Sequence, residues 1–197
     1  MDSDLLMAFI PTFAAVLALP GPNAAFAVGQ SLRYGIRKSL AVGFMLATCV
    51  HAVIVLSGLG VLIESYAGAL GIIKWFGVAY LVCLAKKSLF SKDGVVEVSS
   101  QKMTVRKMML SAMLVSLTNP KALLASLMIY PMFMAGSEGY VLQAVALVAI
   151  AMFVSFAIYA AYIVAAHKLG RSLSRSELAS KIVAALYLGA AGLLASK

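Results

Sequence analysis

Lys121 stands inside an otherwise apolar run, residues 108–134, directly after Asn119-Pro120. An ammonium group about a dozen residues into such a run is too deep to reach water easily at either end, and it is costly there unless it is paired, hydrated or used. Asparagine followed by proline has the form of a helix N-cap with proline at the first helical position. The chain therefore starts a helix in mid-run and places a cation in its first turn. Two chemistries are open to that cation. It receives an anionic group such as a carboxylate, or it ties the structure together by bonding the carbonyl groups of another interrupted helix.

A related interruption, Pro20-Gly21-Pro22-Asn23, falls inside the apolar run 5–30. Each proline removes a backbone donor and clashes with the preceding turn, so no regular helix passes through both. The flanks Phe13-Ala14-Ala15-Val16-Leu17-Ala18 and Ala24-Ala25-Phe26-Ala27-Val28 are too apolar for a loop between soluble helices. A membrane helix broken at depth fits them, and such breaks are tolerated where the freed backbone groups face protein, water or a ligand. A half-helix starting near Pro22 offers unsatisfied N–H groups and a partial positive charge, the combination that holds carboxylates. A kink that serves packing alone is the plainer alternative.

Thr48 and His51 lie in the run 39–63, where Gly43, Ala47 and His51 share one helical stripe. The small residues of that stripe allow close helix approach. His51 either satisfies a neighbouring carbonyl or handles protons, a task its side chain is suited to. Ser155, Tyr159 and Tyr162 recur at helical spacing and read as interhelical hydrogen bonding or as the lining of a path. The candidate binding set is Pro20, Gly21, Pro22, Asn23, Thr48, Asn119, Pro120 and Lys121, with His51 as the proton-coupling candidate.

Composition decides what must position these residues. The 197-residue chain is 63% hydrophobic and 12% charged, with a mean hydropathy of +1.00. Soluble domains run at about 45–50% apolar and about 25% charged, so this is an all-α integral membrane protein. Apolar stretches long enough for a hydrocarbon core of about 30 Å occur at 5–30, 39–63, 66–85, 108–134, 140–166 and 179–195. These predict six transmembrane helices, with the first and fourth broken. The sixth is the shortest, because it is cleanly apolar only over 182–195.

The connections set the orientation. Arg33, Arg37 and Lys38 follow the first stretch, six Lys and Arg residues crowd 86–107, and Lys168, Arg171, Arg175 and Lys181 follow the fifth. The alternate connections, 64–71 and 135–140, carry Glu64 and Glu138 and no Lys or Arg. By the positive-inside rule the basic connections are cytoplasmic and both termini are outside. The chain is then a single transmembrane transporter domain, 1–197. Its half-repeats, roughly 1–90 and 103–197, are joined by a cytoplasmic loop at 86–107. The halves begin on opposite sides of the membrane, so any repeat between them is inverted. Paired interruptions in two such halves point to a transporter's binding site.

Other classes are excluded by what the residues lack. The net charge of +9 sits in short connections, with no basic patch interleaved with aromatic residues for nucleic acid. There is no His-Glu-x-x-His, Gly-x-Ser-x-Gly or Walker loop, so no enzyme and no cofactor is expected. Cys49 and Cys83 have no partners at metal-ligand spacing. The acidic start Met1-Asp2-Ser3-Asp4 is unlike a secretory signal, so the first span is expected in the mature protein.

Several of these residues together resemble a known family. Pro20-Gly21-Pro22-Asn23, then Gly35 and Gly43 followed by His51, then Gly77-Val78-Ala79-Tyr80-Leu81, then Asn119-Pro120-Lys121 followed by Pro131-Met132-Phe133, look like the LysE/RhtB family of bacterial amino-acid exporters. The resemblance runs in order over nearly the whole chain. It implies a six-span bacterial inner-membrane protein that exports small amino acids or derivatives, driven by the proton gradient, and it suggests a homodimer. Many members carry Gly-Asp three or four residues before the histidine, where this chain has Ala47-Thr48, and glycine where this chain has Ala85. Two rivals stand beside the exporter: export of a metal or inorganic ion, and a non-transporting membrane partner that docks through 86–107.

Overall fold

A computed structural model of the chain describes residues 3–58, 67–89, 104–134, 139–173 and 177–195. Lys92, Lys102, Glu64, Glu138 and Arg175, and with them most of the basic connection 86–107, lie outside the described residues. Among the described residues all regular structure is helical: α1 (Ser3–Ala18), α2 (Pro22–Tyr34), α3 (Lys38–Leu56), α4 (Ala67–Leu89), α5 (Val105–Leu117), α6 (Pro120–Met132), α7 (Tyr140–Leu173) and α8 (Glu177–Ala195).

The interruptions fall where proline chemistry demands. α1 stops at Ala18 and α2 starts with Pro22 as its first residue, the axes meeting at 65°. α5 stops at Leu117 and α6 starts with Pro120, the axes meeting at 68°. Proline suits both starts because its missing N–H would have no partner in a first turn anyway. Each bent pair is together long and apolar enough for a membrane span. So are Lys38–Leu56 and Tyr140–Leu169 singly, with mean hydropathies of 2.2 and 2.5. α3 is shorter than the apolar stretch 39–63. It ends at Leu56, and Gly58 (φ 83°) then takes a left-handed conformation that ordinary side chains rarely adopt.

Both broken pairs run the length of the bundle. Phe9 and Phe13 of α1 pack in one cluster with Leu147 and Ala151 near the start of α7. Ser31 of α2 donates to the Ile163 carbonyl at 2.6 Å, and Gly35 faces His167, both near the far end of α7. α5 meets the first half of α3 through Gly43, while Tyr130 of α6 clusters with Ala52 in its second half. The start of α1 lies beside the end of α6, with the Phe9 and Phe133 rings 5.3 Å apart. The two broken helices are therefore antiparallel, and their breaks meet at mid-bundle.

Two apolar cores sit on either side of that meeting point. One joins α2, the first half of α3, α4, α5, the last part of α7 and α8. Its helices approach closely: a Cβ on Gly43 would strike the Met109 carbonyl oxygen and come within 2.8 Å of the Ala112 Cβ, and one on Gly29 would come within 2.6 Å of the Tyr187 hydroxyl. The other joins α1, the second half of α3, α6 and the first part of α7. Its centre is aromatic, with Phe9, Phe13, Tyr130 and Phe133 at centroid distances of 5.2–5.9 Å. The Tyr130 hydroxyl is buried there without a hydrogen-bond partner among the described residues. Between the cores lies a layer of buried polar side chains that includes Asn23, Thr48, His51, Ser116, Asn119 and Ser155.

Two stability outcomes follow from this packing. Gly43→Ala should destabilise the protein by about 1–3 kcal/mol, since a backbone carbonyl cannot move aside as a flexible side chain can. Gly189→Ala, where an added Cβ meets nothing within 4 Å, should be neutral or mildly stabilising. Thermal unfolding in detergent checks both, and equal melting midpoints for the two variants would refute the close approach. Tyr130→Phe removes a polar atom that has no partner and should stabilise by about 1 kcal/mol. A lower melting midpoint in the same assay would show that the hydroxyl is satisfied after all.

Candidate functional site

The helix starts at the two breaks are built differently. At α6, Asn119 is the N-cap. Its Oδ1 accepts from the Lys121 backbone N–H at 3.1 Å, and its carbonyl accepts from Ala122 and Leu123 at 3.0 and 3.3 Å. Pro120 has no N–H, so the first-turn donors of α6 are all accounted for within its own cap. At α2 the N-cap is Gly21, which has no side chain to offer. Ala25 N–H reaches the Gly21 carbonyl at 2.9 Å, but the amides of Asn23 and Ala24 have no acceptor among the described residues. The open donors of mid-bundle thus belong to α2 and not to both half-helices.

A side-chain network joins the breaks. Asn119 Nδ2 donates to Asn23 Oδ1 at 3.1 Å. Asn23 Nδ2 in turn donates to Ser116 Oγ and to the Tyr159 hydroxyl, each at 3.1 Å. Tyr159 is fixed from its other side by stacking on Phe44, with centroids 4.1 Å apart. The end of α1 is held by Tyr162, whose hydroxyl donates to the Ala18 carbonyl at 2.7 Å. Thr48 Oγ1 lies 3.0 Å from the Phe44 carbonyl oxygen and 2.9 Å from Ser155 Oγ. With one proton of its own, Thr48 gives it to the carbonyl, which cannot donate, and shares the second contact with a hydroxyl that can. The side chains of Asn23 and Thr48, expected from sequence to contact a ligand, are engaged in holding helices together.

Beside this network lies a cavity of about 50 Å³, where one water needs roughly 10–15 Å³ on the same measure. Its polar lining is Asn23, Thr48, His51, Ser116, Asn119, Lys121, Ser126 and Tyr159, with Gly21 and Pro22 at the break. Its apolar lining is Phe13, Val16, Leu17, Leu19 and Ala24 of the first broken pair and Ala122 and Ala125 of the second. None of the lining residues carries a carboxylate. Lys121 Nζ stands over the first break, 3.7 Å from where a Cβ on Gly21 would be, and no hydrogen bond or ion pair engages it among the described residues. His51 is buried, and its Nε2 has no partner among the described residues. Pro20 and Pro120 are not positioned as ligand groups: Pro20 does not line the cavity, and Pro120 acts through the helix start it sets.

The structure therefore brings Gly21, Pro22, Asn23, Thr48, His51, Asn119 and Lys121 to one cavity, and adds residues that the sequence did not single out for it. Tyr159 was visible only as a member of the Ser155-Tyr159-Tyr162 stripe. Ser116 and Ser126 carried no signal, being single serines in an apolar run. Chemically the cavity is rich in donors: an ammonium, two free helix-start amides and several hydroxyls. Such a surface suits an acceptor-rich anionic group on a small molecule, with an apolar wall for the remainder.

Comparison with known proteins gives this geometry a setting. The chain aligns over its full length, at 26% identity, with an uncharacterised membrane protein of Vibrio cholerae, covering 98% of that protein. It is 24% identical over its full length to a homoserine/homoserine lactone efflux protein of Salmonella typhimurium, covering 98% of it. Over 92% of the chain it is 28% identical to a leucine efflux protein of Enterobacter sp., covering 90% of that protein. No solved structure matches it. The family model for LysE type translocators matches residues 14–197, both breaks included, and the chain belongs to that family of membrane transporters.

Proposed function

We propose that this protein is a secondary-active exporter of small neutral amino acids or their derivatives across the bacterial inner membrane, driven by the proton gradient. The observation that carries the reading is Lys121: a cation with no partner among the described residues, on the wall of a cavity where two broken helices meet, in a chain of a translocator family. Family relatives whose names specify leucine or homoserine efflux support the substrate class. The cavity supports neutrality of the side chain, because no lining carboxylate is there to offset a second cation.

In this reading the carboxylate lies against Lys121 and the free amides at the start of α2, while an aliphatic or small polar side chain faces Phe13, Val16 and Leu17. His51, buried in the lining of the same cavity, is the group proposed to exchange protons. The full arrangement is six spans: α1–α2, α3, α4, α5–α6, α7 and α8, in two inverted halves of three. The antiparallel broken pairs support it, as does the 19-residue length of α8, which rises about 28 Å. The basic connections are placed in the cytoplasm and both termini outside. Rocking of the halves about the cavity would give alternating access by analogy with other repeat transporters, and the protein is proposed to work in the bilayer as a homodimer.

The test is efflux of radiolabelled leucine, homoserine and other neutral amino acids from cells overproducing the protein, with and without a protonophore. Efflux of one or a few, lost with the gradient, is the expected result. Lys121→Ala should lower that efflux at least about tenfold, the loss expected for one hydrogen bond to a charged group, with the same amount of protein in the membrane. Undiminished efflux by Lys121→Ala would overturn the binding role.

A further inference from the structure

The polarity of the network between the breaks can be traced from an atom that has no choice. The Lys121 backbone N–H only donates, so the Asn119 atom 3.1 Å from it is the oxygen. The Asn119 amide nitrogen then faces Asn23 and donates to its oxygen. That leaves Asn23 Nδ2 with two hydrogens and two neighbours at 3.1 Å, Ser116 Oγ and the Tyr159 hydroxyl. Both hydroxyls are forced to accept. A hydroxyl that accepts one bond still has its own proton to give, and neither proton has an acceptor among the described residues. Ser116 and Tyr159 are each 3% exposed and both line the cavity.

We infer that Ser116 and Tyr159 are ligand-binding residues of the cavity, their hydroxyls held by Asn23 as donors to a carboxylate that Lys121 neutralises. A carboxylate is an acceptor only, so it satisfies both protons at once. The stacking of Tyr159 on Phe44 keeps its hydroxyl in place before the ligand arrives. Asn23 is then a positioning residue: it touches the hydroxyls and sets which way they point. The inference rests on the proposed function for the amino-acid part of the ligand. The donor assignment itself concerns any small carboxylate.

Dissociation constants of the purified full-length protein for L-leucine and for acetate test the assignment, alongside melting midpoints of the ligand-free variants. Tyr159→Phe and Ser116→Ala should each weaken binding about tenfold, as loss of a hydrogen bond to a charged group does. Ser116→Thr keeps a hydroxyl and should stay within about threefold of the wild-type constant, a change under one kcal/mol. If the hydroxyls serve only to hold Asn23, the first two variants will melt lower with unchanged constants, and that result overturns the inference. Should Tyr159→Phe fail to assemble, Ser116→Ala against Ser116→Thr decides the matter alone. Acetate binding that depends on the hydroxyls, without leucine binding, would uphold the assignment and overturn the amino-acid reading. Absence of both from the wild-type protein would overturn both.

Discussion

The bond from Asn119 to Asn23 joins the two helix breaks of this molecule. A helix broken inside a bilayer leaves polar backbone groups where no water can serve them, and each costs several kcal/mol if nothing else does. Here the two breaks are brought together so that the side chains at one answer for the other. Asn119 closes the start of its own helix with its oxygen and reaches across with its nitrogen. Asn23 passes the connection on to α5 through Ser116 and to α7 through Tyr159. One carboxamide pair therefore fixes the relative depth of four helices.

The economy of that arrangement has a consequence for where a ligand can bind. α6 satisfies its own first turn, so its dipole is directed at the cavity without free donors. α2 begins at a glycine that cannot cap, and its amides stay open. The difference comes from one side chain, asparagine at 119 against glycine at 21. The cores on either side differ as well. At Gly43 a backbone carbonyl lies against the glycine Cα, a contact that tolerates almost no displacement. The aromatic core of α1 and α6 combines a stacked pair, Phe9 and Phe13, with tilted and edge-on contacts to Tyr130 and Phe133.

Much of this was legible in the chain because the governing chemistry is local. Two prolines flanking a glycine, and an asparagine before a proline, break the helices at 18–22 and 117–120, whereas the lone prolines Pro11 and Pro131 lie inside α1 and α6. Asparagine before proline announces a cap, and Asn119 makes one. What could not be read was which side chains meet across the bundle. The sequence marked Asn23 and Thr48 as candidate ligand contacts, and both line the cavity, but their hydrogen bonds to Ser116, Tyr159 and Ser155 were not visible in it. Ser116 could not be found at all, since nothing in an apolar run distinguishes a serine that lines a cavity from one that bonds to its own helix. The end of α3 at Leu56 was hidden because the apolar character continues beyond it while the helix does not.

Lys121 bears on affinity as well as on specificity. Its ammonium stands half-buried over the first break, and the open amides of Asn23 and Ala24 and the hydroxyl protons of Ser116 and Tyr159, which line the same cavity, are donors as it is. In the proposed reading a carboxylate, an acceptor only, is what this set of donors is matched to. A neutral ligand without an acceptor would leave the donors unmatched. Discrimination of this kind comes from leaving buried groups unpaired when the wrong molecule enters, which is worth more than the contacts the right molecule makes with an apolar wall.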